Sequence, residues 1–157
     1  MGLLLFHRYA IVCYILQVKD RHNGNILLDD QGHLVHIDFG FLFDISPGND
    51  MRFESAGFKL TVEMVEVMGD YDSDLWKWFV DLCARGYLAV REHRDDFIAL
   101  AQLMMDSALG CFKSESIRHL RQRFVPEKSE RDAAQHMINV VLDSYNKWST
   151  SVYDVIQ

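Results

Sequence analysis

The sequence predicts an α+β fold that is mostly helical, with one short β-hairpin near its start. Two observations carry the prediction. After residue 60, apolar residues recur at helical spacing almost to the end of the chain. Before it, two short apolar runs, 26–28 and 33–37, flank Asp29-Asp30-Gln31-Gly32, a four-residue stretch with turn chemistry.

Residues 3–17 open the chain as an apolar helix. His7 and Arg8 interrupt the run, which is too short to span a bilayer. No charged start or small-residue cleavage site marks a signal peptide, and Phe6 stands where a myristoylation signal wants Ser or Thr. The helix therefore reads as buried. The hairpin follows at 26–28 and 33–37, with His33 and His36 as ordinary strand residues. Residues 41–58 read as irregular, with Ser46-Pro47-Gly48-Asn49 as a turn.

The helical part comes next. Leu60, Met64, Val67 and Met68 share one predicted face, and Leu75, Trp78, Phe79, Leu82 and Cys83 form a second. Further helices are predicted over 94–107, 114–123 and 130–147. Ser129 lies three residues before Asp132 and resembles a capping box with Asp in place of Glu. Trp76, Trp78, Met104 and Met105 are assigned to the core.

Composition narrows the function classes. The 157 residues suffice for one domain, and 49% hydrophobic with 25% charged residues fits a folded globular chain. A net charge of −7 argues against nonspecific nucleic-acid binding, which needs a basic footprint. Three cysteines with no CxxC pair argue against a disulfide framework or zinc site and favour a reducing compartment.

The chemistry is concentrated in Asp20-Arg21-His22-Asn23-Gly24-Asn25 and His36-Ile37-Asp38-Phe39-Gly40. Phosphoryl transfer needs cations against the phosphates and a group that accepts the attacking hydroxyl's proton. Protein kinases set an Asp and an Asn five residues apart on the catalytic loop, then a DFG Asp. Asp20 and Asn25 have that spacing, and the hairpin returns Asp38 to the same end. Asn25 and Asp38 could share one Mg²⁺. His22, titratable near neutrality, suits proton transfer.

The reversed triplet Asp-Arg-His, with HIDFG after it, resembles the phosphoinositide 3- and 4-kinases and the related large protein kinases. Phe58-Lys59-Leu60-Thr61, Glu63-Met64 and Val67-Met68-Gly69 are similar to type III phosphatidylinositol 4-kinases. Arg85-Gly86-Tyr87-Leu88-Ala89-Val90-Arg91, Cys111-Phe112, Tyr145-Asn146-Lys147-Trp148 and Tyr153-Asp154 resemble their alpha branch. The resemblance runs from Tyr9 to Gln157.

It implies the C-terminal lobe of a protein-kinase-like fold. Residues 18–25 would be the catalytic loop, 38–59 the activation loop, and 60–157 a helical bundle. Asp20, Arg21 and His22 would be the catalytic set, with either Asp20 or His22 as base. Asn25 and Asp38 would bind Mg²⁺ or Mn²⁺, and Leu27 and Ile37 would pack beneath the adenine of ATP. Phe39 and Gly40 would be packing anchor and flexible point. Arg52 and Lys59 would face the lipid, although Lys59 fits a solvated loop lysine as well.

The implied activity is phosphorylation of phosphatidylinositol at the inositol 4-hydroxyl, by a cytoplasmic protein peripheral at membranes, with regulatory subunits on the parent kinase and no nucleic-acid partner. Trp148, Tyr153, Val155 and Ile156 suit either a bilayer contact or packing on the helices. Nineteen residues precede Asp20 and hold no Gly-rich phosphate loop. The expectation is a catalytic-domain fragment that lacks its upper lobe and is inactive alone. The alternatives are a non-catalytic helical binding module and a fragment of a related protein kinase.

Overall fold

Three helices of this chain begin where a side-chain oxygen meets a free backbone N–H of the first turn. The computed structural model describes residues 3–31, 33–46 and 56–155, with side chains at 6–31, 33–46 and 56–147. The order is α1 (Leu3–Leu16), β1 (Ile26–Leu28), β2 (Leu34–His36), α2 (Val62–Val67), α3 (Asp74–Glu92), α4 (Arg94–Leu103), a 3-10 turn (Met104–Asp106), α5 (Ser114–Arg123) and α6 (Glu130–Val155). Thr61 caps α2 by accepting from Met64 N–H, and Ser73 caps α3 by accepting from Trp76 N–H. Ser129 Oγ accepts from Asp132 N–H at 3.1 Å, capping α6, and donates to Asp132 Oδ2 at 2.7 Å, so the expected box keeps its cap while its second bond runs between the side chains.

The core lies where α3 packs between α1 and α6. Helix α1 is apolar on nearly every face, and Phe6, Ala10, Ile11, Cys13, Tyr14 and Ile15 are all buried. Phe6 stacks on Phe79 of α3 with ring centroids 5.1 Å apart, and Tyr14 meets Tyr87 edge-on. A Cβ at Gly86 would lie 2.6 Å from Ile11 Cδ1, so the α1–α3 approach requires glycine there. From the other side, α6 contributes Ala133, Met137, Val141 and Ser144, all fully buried.

The predicted faces of α2 and α3 need correction. Val67 is 82% exposed, while Val65 and Met68 are buried. On α3 the buried stripe is Trp76, Phe79, Cys83, Ala84 and Tyr87, and Leu75 and Trp78 are exposed. Trp78 lies roughly 200° around the helix from Trp76, so both cannot face the core. Met104 and Met105 sit in the exposed 3-10 turn, not in the core. Arg91 explains a further stop: its guanidinium donates to the carbonyls of Phe124, Val125 and Lys128, which have no helical partners beyond the end of α5.

Candidate functional site

The hairpin has two chemically different faces. Its register pairs Ile26 with His36, Leu27 with Val35 and Leu28 with Leu34. Side chains alternate across a strand, so His36 turns inward while Leu27 and Val35 turn out. His36 stacks on Tyr9 of α1 at 4.3 Å, with Nδ1 3.7 Å from the Cys13 thiol. Burial, with Arg21 and Lys59 nearby, pulls its pKa down to about 4, so it is a neutral structural residue. On the opposite face Leu27, Val35 and Ile37 stand 47%, 41% and 39% exposed, an apolar strip with nothing described over it.

Asp20 and Asp38 flank that strip, both in left-handed backbone at φ +61° and +56°. Non-glycine residues adopt this region at a cost, and the surrounding structure has to hold them there. Arg21 does the holding. It is 3% exposed, and its guanidinium donates to the carbonyls of Lys19 (2.9 Å), Asn25 (3.3 Å), Ile37 (2.8 Å) and Asp38. One buried side chain thus joins loop 18–25 to the strand exit that carries Asp38. These hydrogen bonds from Arg21, expected among the catalytic set, all go to backbone carbonyls.

Asn25 is buried too. Its side-chain N–H donates to the Asp20 carbonyl at 2.9 Å, which leaves Oδ1 as the atom for a cation. Ile37 N–H donates to the Asn25 carbonyl, bringing Asn25 beside the residue that precedes Asp38. Asp38 itself is exposed, and its Oδ1 accepts from Gly40 N–H at 3.2 Å. Among the described residues no three His, Cys, Asp or Glu side chains gather around one cation position. An ion at Asn25 and Asp38 would complete its shell from phosphate oxygens and water, the mode Mg²⁺ favours.

His22 Nε2 lies 3.8 Å from Asp20 Oδ2, and Nδ1 accepts from Gly24 N–H at 3.1 Å. The neutral ring therefore carries its proton on Nε2, toward Asp20. Phe39 is 48% exposed, with its ring 5.7 Å from the Arg21 guanidinium carbon. It shields the arginine rather than anchoring itself in the core. Nor does Gly40 take a left-handed φ: Asp38 does.

Segment 38–59 is pinned at both described ends. Lys19 N–H donates to Phe41 O and Phe43 N–H to Leu16 O, while the Phe43 ring meets Phe112. Asp44, one of the acids in that segment, turns into α5 and pairs with His119 at 3.0 Å. At the far end Gly57 threads between α1 and α6, where a Cβ would fall 2.6 Å from Val140 Cγ1. Lys59 Nζ then donates to Asn23 Oδ1 at 3.0 Å, back on loop 18–25. Arg52 lies outside the described residues, as do the side chains of Trp148, Tyr153, Val155 and Ile156.

Sequence reasoning missed what Gly86, Tyr87 and Arg91 do. Gly86 admits Ile11, Tyr87 donates to the Arg123 carbonyl at 2.9 Å, and Arg91 closes α5. Their spacing is only a helix pattern until the partners are seen.

Comparison with known proteins adds an independent line. The family described as phosphatidylinositol 3- and 4-kinase matches residues 4–114. Phosphatidylinositol 4-kinase alpha 2 and alpha 1 of Arabidopsis thaliana are each 54% identical over 153 residues, 95% of this chain. Phosphatidylinositol 4-kinase beta 1 of the same plant is 44% identical over 155 residues, again 95% of the chain. The chain spans 29%, 8% and 14% of those three relatives' lengths.

Proposed function

This chain belongs to the phosphatidylinositol 3- and 4-kinase family, and from that premise we propose that the whole protein transfers the terminal phosphoryl group of ATP to the 4-hydroxyl of phosphatidylinositol. The helical body with its two-stranded hairpin is the C-terminal lobe of that kinase fold. The observation that carries the proposal is the buried Arg21, which gathers Asp20, Asn25 and Asp38 at one edge of the exposed strip of Leu27 and Ile37. An apolar floor beside cation ligands and a carboxylate is the arrangement a nucleotide-dependent phosphoryl transfer needs.

Asn25 Oδ1 and Asp38 would hold Mg²⁺ or Mn²⁺, which would neutralise charge on the phosphates. Leu27 and Ile37 would lie beneath the adenine. Asp20 and His22 act on the inositol hydroxyl as a pair. Because Nδ1 of His22 is occupied by Gly24 N–H and Nε2 bears the proton, Asp20 is the better acceptor of the hydroxyl proton, with His22 orienting it.

The local charge fits an inositol without extra phosphates, which would call for clustered Arg and Lys. Segment 41–58 has one basic residue, Arg52, and Lys59 follows at its edge on Asn23. Action at a membrane follows from the lipid substrate. No helix among the described residues is long and apolar enough to cross one.

The test is a side-by-side assay of the whole kinase on vesicles containing phosphatidylinositol or its mono- and bisphosphates. Phosphatidylinositol 4-phosphate should be the main product. Preference for the phosphorylated lipids would overturn the substrate assignment, and failure to bind ATP would overturn the enzyme assignment.

A further inference from the structure

Arg21 braces the chain where it enters Asp38, through the carbonyls of Ile37 and Asp38. A few residues further on the chain is braced again, this time by α5, which lies outside the catalytic loop. Phe43 sits in left-handed backbone at φ +56°, which a non-glycine residue keeps only when its surroundings hold it. Its N–H donates to the Leu16 carbonyl at 2.8 Å, and Phe41 O accepts from Lys19 N–H at 3.0 Å. Those two bonds tie the exit from Asp38 to the residues that lead into Asp20. The Phe43 ring is buried, edge-on to Phe112 at 5.4 Å, with the Arg123 guanidinium carbon 5.8 Å from its centroid.

The next residue, Asp44, is drawn onto α5. Its Oδ1 lies 3.0 Å from His119 Nδ1, and since a carboxylate only accepts, Nδ1–H is the donor. Nε2 is then left to accept from Arg118 Nη2 at 3.3 Å, and Arg118 also pairs with Glu115, the other carboxylate beside the ring. Burial would raise the Asp44 pKa, but Ser116, His119 and Arg123 outweigh it and hold the carboxyl below its ordinary value. Asp44 is therefore ionised at neutral pH and remains an acceptor for His119. The bond joins residues 75 apart in sequence and sets α5 against the strand exit.

We propose that His119 is a positioning residue for the cation site. Through Asp44 it fixes the chain from 39 to 44, and together with Arg21 it holds the backbone of Asp38 from both sides. This role rests on the kinase function proposed above, because it matters only if Asn25 and Asp38 hold the cation. Removing an outer partner of a metal ligand commonly weakens metal binding by about 10- to 100-fold. His119 stands further from the ion than such a partner, so the low end of that range is expected.

Two measurements on the whole kinase test this. One is hydrogen–deuterium exchange over 39–45; the other is the Mg²⁺ concentration for half-maximal phosphorylation of phosphatidylinositol at saturating ATP. His119→Leu should speed exchange over that stretch and raise the Mg²⁺ requirement by about tenfold. An Asn side chain can place an amide N–H where Nδ1–H stands, so His119→Asn should keep both within about twofold of the unsubstituted enzyme. Asp44→Ala should reproduce the effect of His119→Leu, and the two together should do no more than either alone. Should His119→Leu fail to fold, Asp44→Ala against His119→Asn carries the comparison. Faster exchange with a Mg²⁺ requirement changed by less than about twofold would mark the pair as a plain fold contact and overturn the role. Unchanged exchange would overturn it too, as would a His119→Asn variant as impaired as His119→Leu. An unsubstituted kinase that transfers no phosphoryl group would instead overturn the kinase function, and this role with it.

Discussion

The helical body and the catalytic hairpin obey opposite rules. In the body, Phe79, Tyr87, Phe124 and Met137 are fully buried, and α2, α3 and α6 each begin on a side-chain cap. On the hairpin, Leu27, Leu28, Val35, Ile37 and Phe39 are all at least 39% exposed, and the two key aspartates sit in disfavoured backbone. Stability is concentrated in the first region and chemical readiness in the second. Under the proposed function, carboxylates that serve a nucleotide have to reach it, and Arg21 braces from beneath the backbone that carries them. The exposed hairpin contributes little to the packed core.

That contrast can be broken in four places. Asp38→Ala, made in the whole kinase, should lower lipid phosphorylation by at least about 10³-fold, because the proposed cation site would lose its charged ligand. Thermal unfolding should show an unchanged midpoint; a lowered midpoint would mean that Asp38 also supports the fold. Phe79→Ala should do the reverse, costing about 3–5 kcal/mol in a denaturant titration of the 157-residue chain, through the cavity left between α1 and α3.

Arg21→Lys should cross the boundary. An ammonium cannot reproduce the fork that serves four carbonyls, so about 1–3 kcal/mol of stability should be lost together with activity. If activity stayed within about twofold while stability fell, Arg21 would not be positioning the aspartates. The smallest effect is expected from Ser129→Ala. Losing the α6 cap should cost about 1 kcal/mol by denaturant titration and leave the kinase's turnover unaltered.

The two regions also differ in how much their sequence reveals. The limits of β1 matched the prediction, and α1 and α5 were placed within one residue, because apolar runs bounded by turn and cap residues define short elements locally. The motif was legible for a different reason. Asp20, Asn25 and Asp38 stand at spacings that a hairpin returns to one end, and Ile37 N–H does donate to the Asn25 carbonyl beside Asp38; the roles proposed for them rest on the proposed function. Which way the helices turn was not legible. Leu75 and Trp78 are as apolar as Trp76 and Phe79, and only the positions of α1 and α6 select which of them is buried.

The sequence by itself determined the family and the order of elements, because local pattern and chemically specific motifs survive without knowledge of contacts. Tertiary structure alone decided the roles of three arginines that a linear reading cannot separate. Arg21 ties two loops, Arg91 closes α5, and Arg123 joins the end of α5 to the Ile15 carbonyl of α1. The physical reason is that a guanidinium acts through its partners. Those partners are carbonyls as many as 108 residues away in sequence for Arg123 and 37 for Arg91, and nothing in the neighbouring residues specifies them.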